Sequence, residues 1–283
     1  MCSLVSRAEI FGDGKLGNGI EDDRRLLAAT AVARYQRFFG TIECSGKVKG
    51  VALLLNVPST EKSVSQPMLL TAKHVLPSLD SKTLKDCVYQ AGGTPWQPQS
   101  LAAEYAWGGS KIVPIESVGQ SRVQEFAEDW ALVKMSTWKG WENNAFLFSM
   151  DDAALRWDEM ATDHYPYPAF LIGFDGARGG FMVDLDCEFG FPEPESLIGS
   201  VDHLFWDNCD SVPGSSGGVL FEQTGSAPRI AGIRVGNLFD ADVHPNGPSP
   251  GDKFNLHSNL NLSRTLDQEI VNAMRLLASS GNE

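Results

Sequence analysis

Three short segments hold residue types that could transfer an acyl group. The first is Pro213-Gly214-Ser215-Ser216-Gly217-Gly218-Val219-Leu220. A nucleophilic serine needs a sharply turned backbone, which exposes the hydroxyl and aims N–H groups at a developing oxyanion. Glycine supplies the unusual dihedrals and lets a substrate backbone come close. A Gly/Ser turn in an ordinary hairpin reads the same way, so this segment alone decides nothing. In the second, residues 68–76, an apolar strand runs into Thr71-Ala72-Lys73-His74 and a short apolar turn. His74 at the end of such a strand can be held rigidly as a general base. The other histidines (His164, His203, His244 and His257) have no comparable setting. The third is Glu128-Asp129-Trp130-Ala131-Leu132-Val133, with an acid at the mouth of an apolar strand. A buried carboxylate is costly unless hydrogen-bonded. Accepting an imidazole N–H satisfies it and fixes the tautomer. Seen alone, Asp129 reads equally well as an acid in an N-terminal turn.

The elements that must position these groups are short strands. Apolar, β-rich runs at 41–44, 50–56, 68–71, 111–115, 130–135, 169–172, 181–185, 217–221 and 230–235 alternate with Gly, Pro, Ser and Asn clusters. That texture predicts an all-β sandwich or barrel. No βαβ alternation appears, which argues against a doubly wound fold. Residues 20–39 carry a helical pattern with acids at its start. Leu262, Leu266, Ile270, Ala273, Met274 and Leu277 form a second helical stripe, with Thr265 and Gln268 as a capping box. The expected division is an N-terminal extension (1–39), a first unit carrying His and Asp (40–138), a linker (139–165), a second unit carrying Ser (166–261) and a C-terminal helix (262–283).

The chain has 283 residues, 42% of them apolar, and a net charge of −13. That size buries a sizeable core. The acidic balance argues against nucleic acid and anionic membrane as partners, because both reward clustered Lys and Arg. No apolar run is long enough to span a bilayer. The first 19 residues lack the apolar core of a secretion signal. Met1-Cys2 is compatible with a mature lipoprotein start. The five cysteines include no C-x-x-C pair, which gives zinc little support. Four spread cysteines and a terminal one fit two disulfides and an outlier, or five buried thiols.

In their order His74, Asp129, Ser216, and in the wording Thr-Ala-Lys-His, Asp-Trp-Ala-Leu and Gly-Ser-Ser-Gly-Gly, these segments resemble the trypsin-like (chymotrypsin-fold) serine peptidases. The run from Cys209 to Gly217 is closest to the bacterial-type branch. The resemblance implies two six-stranded antiparallel β-barrels with a cleft between them, and a C-terminal helix packed back on the body. It implies an oxyanion hole from the N–H groups of Gly214 and Ser216, and substrate pairing along the strand holding Arg234, Val235 and Gly236. It also implies a Cys187–Cys209 disulfide bracing the serine loop and a second one, Cys44–Cys87. Asp210 falls where an acid forms the base of the primary pocket and selects Arg or Lys. Arg234, on the strand opposite, would neutralise Asp210 or bind an acidic side chain if it points inward. Alternatively Asp210 caps a turn and Arg234 faces solvent.

Two positions depart from the family pattern. Ser215 stands where many animal members carry Asp, so no activation pairing with a new amino terminus is expected. Lys73 stands where Ala is usual, and its side chain is expected to point outward. The function implied is a serine endopeptidase, secreted or periplasmic with a cytoplasmic location left open, monomeric, acting on proteins or peptides with no metal or organic cofactor. A catalytically silent homologue used as a protein-binding module is the alternative. An α/β-hydrolase, suggested by Gly-x-Ser-x-Gly, orders its triad Ser, acid, His. Here the best histidine and acid precede the serine.

Overall fold

The computed structural model describes residues 2–3, 24–58, 65–76, 84, 86–92, 98–101, 105–107, 121–148, 166–190, 198, 203–212, 214–223, 228–245, 252 and 254–279. The strands, in chain order, are β1 (Cys2–Ser3), β2 (Arg25–Leu26), β3 (Phe39–Cys44), β4 (Lys47–Pro58), β5 (Ser65–Thr71), β6 (Cys87–Ala91), β7 (Gln99–Ser100) and β8 (Tyr105–Trp107). They continue with β9 (Ala131–Lys134), β10 (Phe146–Leu147), β11 (Tyr167–Asp175), β12 (Gly180–Gly190), β13 (Leu204–Asp207), β14 (Val219–Glu222), β15 (Arg229–Asp240) and β16 (Asn259–Thr265). Two helices, α1 (Ser121–Ala127) and α2 (Gln268–Ser279), complete the framework.

The strands form two sheets. In the second, β11, β12, β13, β16, β15 and β14 pair in turn, and β14 returns to β11, so the ring closes. Closure removes the exposed sheet edges that invite wrong pairing. The first sheet runs β7-β6-β3-β4-β5-β9-β8 and stays open among the described residues, a half-barrel rather than a full ring. The all-β expectation holds, and so does the C-terminal helix, which packs on β4, β8 and β9 of the first sheet.

A cluster of rings joins the two sheets. Phe221 on β14 stacks on Phe170 of β11 at 4.9 Å. Tyr35, Phe39 and Phe146 surround it at 5.6, 6.2 and 6.1 Å. Such pairs add about 0.5–1.5 kcal/mol each beyond their burial. They set the second barrel against β3 and β10, close behind the serine loop.

Three expectations need correction. Residues 24–38 form no α-helix but the short strand β2 and two 3₁₀ segments, Leu27–Ala29 and Ala33–Phe38. Thr30 ends the first segment by donating its hydroxyl to the Leu27 carbonyl at 2.9 Å. Tertiary pairing wins over local periodicity here: β2 joins β12, and Arg24 meets Asp175 in a buried ion pair at 3.2 Å. Leu262 and Thr265 belong to β16, not to the C-terminal helix. The cap of α2 is Asp267, whose Oδ1 accepts the N–H groups of Glu269 and Ile270 at 3.0 and 3.2 Å. The expected strand at 111–115 and most of the expected linker lie outside the described residues.

Candidate active site

β5 delivers His74. Its apolar centre pairs with β4 and β9, and after Thr71 the chain turns through a 3₁₀ segment, Lys73–Val75. Asp129 precedes β9, which lies beside β5 in the sheet, so the pairing Thr71↔Ala131 brings acid and base together. The contact is double. One carboxylate oxygen accepts the backbone N–H of His74 at 2.9 Å, and the other lies 2.6 Å from ring Nδ1. Burial disfavours the imidazolium, but the charge of Asp129 and its hydrogen bond outweigh this, so the His74 pKa lies above the ordinary 6.5.

The serine loop comes from the second barrel. Ser215 and Ser216 are adjacent, yet their settings differ. Ser215 is 4% exposed, and its hydroxyl donates to the Phe174 carbonyl of β11 at 3.4 Å. Ser216 is half-buried, and its carbonyl accepts the N–H of Val51 on β4 at 2.8 Å. Gly214 and Gly217 flank the pair with φ of +103° and +78°. The loop also wedges against the strand ends that carry His74. A Cβ on Gly217 would fall 2.2 Å from the Val51 carbonyl and 2.3 Å from Thr71 Oγ1. One on Gly50 would fall 2.6 Å from both the Ser216 carbonyl and Val75 Cγ2. Glycine is required at both places, because backbone meets backbone.

Lys73 does not point outward. It is 7% exposed, and burial lowers its pKa from 10.5 against the pull of the nearby Asp129 and Glu128 charges. Both cystines are formed: Cys44 with Cys87, where β3 and β6 pair, and Cys187 with Cys209. Asp184 lies beside the second cystine, but its sulfurs are bonded to each other and offer no thiolate for a metal.

Around the expected pocket the charges pair differently from either alternative. Arg234 points inward, and its partner is Asp207, not Asp210. Its guanidinium also donates to Ser211 Oγ at 2.7 Å and to the Cys209 carbonyl at 3.3 Å. Asp207 further accepts from Ser263 Oγ at 2.9 Å and the Cys209 N–H at 3.1 Å. Burial pushes the Asp207 carboxyl up, and Arg234 with these donors pulls against it. Asp210 is buried, with its N–H on Asp184 at 2.7 Å. Asn261 continues the polar seam, donating to the Cys209 carbonyl at 2.8 Å. The amide atoms of Asn237 and Asn259, also buried, find no partner among the described residues. Val235 is buried, and Gly236 lies against the ring of Phe126 in α1.

Asp207, Ser211, Ser263 and Phe126 were not foreseen. The alternation in Asn259-Leu260-Asn261-Leu262-Ser263 could have revealed β16 and its polar face. Nothing in the sequence pairs Asp207 with Arg234.

A closed antiparallel barrel beside a half-barrel, with His74 and Asp129 on the half-barrel, the Ser216 loop on the closed one and a C-terminal helix, is a chymotrypsin-like fold. No family model matches the chain, and no curated protein matches it. Among solved structures it is similar to kallikrein-related peptidase 10, at 11% identity and a TM-score of 0.49, over 87% of this chain and 98% of that one. At that level nothing is carried from that protein to this chain. No helix among the described residues is long and apolar enough to cross a membrane.

Proposed function

We propose that the chain is a serine endopeptidase that cleaves peptide bonds through an acyl-enzyme. The observation that carries this is the double grip of Asp129 on His74, with ring Nδ1 held at 2.6 Å. That bond leaves Nε2 as the acceptor, on a turn against which the Ser216 loop is packed. In this reading Ser216 Oγ attacks the scissile carbonyl. His74 Nε2 takes the proton and returns it to the leaving amine, while Asp129 stabilises the imidazolium. The N–H groups of Gly214 and Ser216 receive the oxyanion. Water, activated by His74, then releases the acyl group. The strand at Arg234, Val235 and Gly236 holds the substrate backbone.

Pocket preference follows from charge. Arg234 is balanced by Asp207, and Asp210, whose chain neighbours Cys209 and Ser211 both accept from the Arg234 guanidinium, adds a second acid. Basic and uncharged polar side chains fit such a site, and acidic ones are repelled. Two cystines favour an oxidising compartment, so a secreted or periplasmic location is part of the proposal. A fluorophosphonate probe followed by mass spectrometry tests the chemistry. Label on Ser216, abolished in Ser216→Ala, is expected. Folded protein that stays unlabelled overturns it.

A further inference from the structure

Arg264 is wholly buried on β16. Successive side chains of a strand point to opposite faces. Ser263 faces Asp207 inside the second barrel, so Arg264 faces the other way, in line with Leu260 and Leu262. Its Nε–H donates to the carbonyl of Ala127 at 2.5 Å. Ala127 is the last residue of α1, and Asp129 stands two residues further on. The Asp129 N–H in turn donates to the Phe126 carbonyl at 3.1 Å. The turn that presents the acid is thus a small closed unit, and its outer carbonyl is held from the other sheet.

The rest of the guanidinium is engaged as well. Nη1 donates to the Thr265 carbonyl at 2.9 Å, to Thr265 Oγ1 at 3.0 Å and to Asp267 Oδ2 at 2.8 Å. Nη2 donates to Glu269 Oε2 at 2.8 Å. Asp267 also caps α2, and its Oδ2 meets His203 Nδ1. One planar fork therefore ties three things: the acid turn, the end of β16 and the start of the C-terminal helix. A fork of five fixed donors positions its partners in a way that a flexible ammonium does not.

We propose that Arg264 is a positioning residue for Asp129. It sets the acid turn from the opposite sheet and makes that setting depend on the capped C-terminal helix. This rests on the reading of His74 and Asp129 as a catalytic pair. A carbonyl displaced at Ala127 moves the carboxylate two residues later, and the Nδ1 bond to His74 lengthens. The serine loop, which makes no contact with Arg264 in the network above, keeps its place, and the proposed substrate strand β15 feels the change through the Phe126 ring against Gly236.

The test uses the full chain and four variants: Arg264→Lys, Arg264→Gln, Asp267→Asn and Glu269→Gln. Three quantities are read: the downfield proton resonance of the His74 Nδ1–H at a pH where the imidazole is protonated, kcat with KM, and the unfolding midpoint. Arg264→Lys and Arg264→Gln are expected to move the resonance upfield or broaden it away. Their kcat should fall at least tenfold, with KM changed less than threefold. Asp267→Asn keeps a good cap and weakens the hold on Nη1, so a smaller change of the same kind is expected. Glu269→Gln, on the exposed limb of the network, should leave both readouts as they are. Folded Arg264 variants with the wild-type resonance and kcat overturn the proposal. If no Arg264 variant folds, an unaltered resonance in Asp267→Asn overturns it. Absence of the resonance in the wild type also overturns it. A wild type that shows the resonance but takes no fluorophosphonate label defeats the peptidase reading alone, and the resonance shifts then decide the role of Arg264.

Discussion

The raised pKa of His74 has a definite sign in any pH profile. In the proposed mechanism the neutral ring is the base, so kcat/KM should rise with pH through a value above 6.5, the ordinary one. Burial is the largest single influence and opposes the imidazolium, but the charge of Asp129 and its hydrogen bond together prevail. Replacing Asp129 with Asn removes that charge. The acidic limb should then move down, and kcat should fall by about 10⁴, the size of effect seen when the tautomer is lost. A stopped assay from pH 5 to pH 9 measures both. The same linkage acts on stability. A histidine with a raised folded pKa contributes stabilisation that is complete below its unfolded pKa and lost as pH rises through the folded one. The unfolding midpoint of wild type relative to Asp129→Asn should therefore narrow between mildly acidic and alkaline pH.

Loop and barrel seam make predictions of another kind. Gly217 has φ of +78°, and a Cβ there would lie 2.2 Å from a backbone carbonyl. Gly217→Ala should cost about 1–3 kcal/mol from strain alone and displace Ser216 from the strand ends beside His74. Thermal unfolding and kcat should both register the change. In the second barrel, Asp207→Asn leaves the Arg234 charge buried without its counter-ion. Breaking a buried pair in this way costs about 3–5 kcal/mol. The double variant Asp207→Leu/Arg234→Met should be markedly more stable than Asp207→Asn alone, as read from urea midpoints. Equal destabilisation of the two would show that the pair's hydrogen bonds, not its charges, hold the seam.

Two cystines and an aromatic cluster hold the whole molecule. The cystines close loops of 43 and 22 residues. Each should contribute about 3–4 kcal/mol by restricting the unfolded chain. Reduction with dithiothreitol should lower the denaturant midpoint by a margin large against the 5–15 kcal/mol typical of a folded domain. A peptide library presented to the active protein should show cleavage after basic or uncharged polar side chains and discrimination against Glu and Asp. A preference for acidic side chains would mean that Arg234, rather than the acids near it, governs the pocket.

The division of labour between sequence and tertiary structure follows range. The Gly-Ser-Ser-Gly-Gly turn, the strand leading into His74 and the acid before Ala131 are local signals, because glycine dihedrals and strand burial are set by near neighbours. From these the candidate site residues His74, Asp129 and Ser216 were legible. The all-β class was legible from the alternation of short apolar runs, whereas the pairings Cys44–Cys87 and Cys187–Cys209, which the structure forms, came only from the resemblance to the trypsin-like peptidases. The 3.6-residue pattern before Phe39 misled, because β2 pairs with β12 and Arg24 with Asp175 far along the chain. Only the tertiary structure showed how the two serines differ: Ser215 is buried with its hydroxyl on the Phe174 carbonyl of β11, and Ser216 is half-buried with its own carbonyl on Val51. It alone paired Arg234 with Asp207 instead of Asp210, and set Arg264 on the Ala127 carbonyl. A buried charge takes the partner that the packed sheets bring near it, and no spacing along the chain records which one that will be.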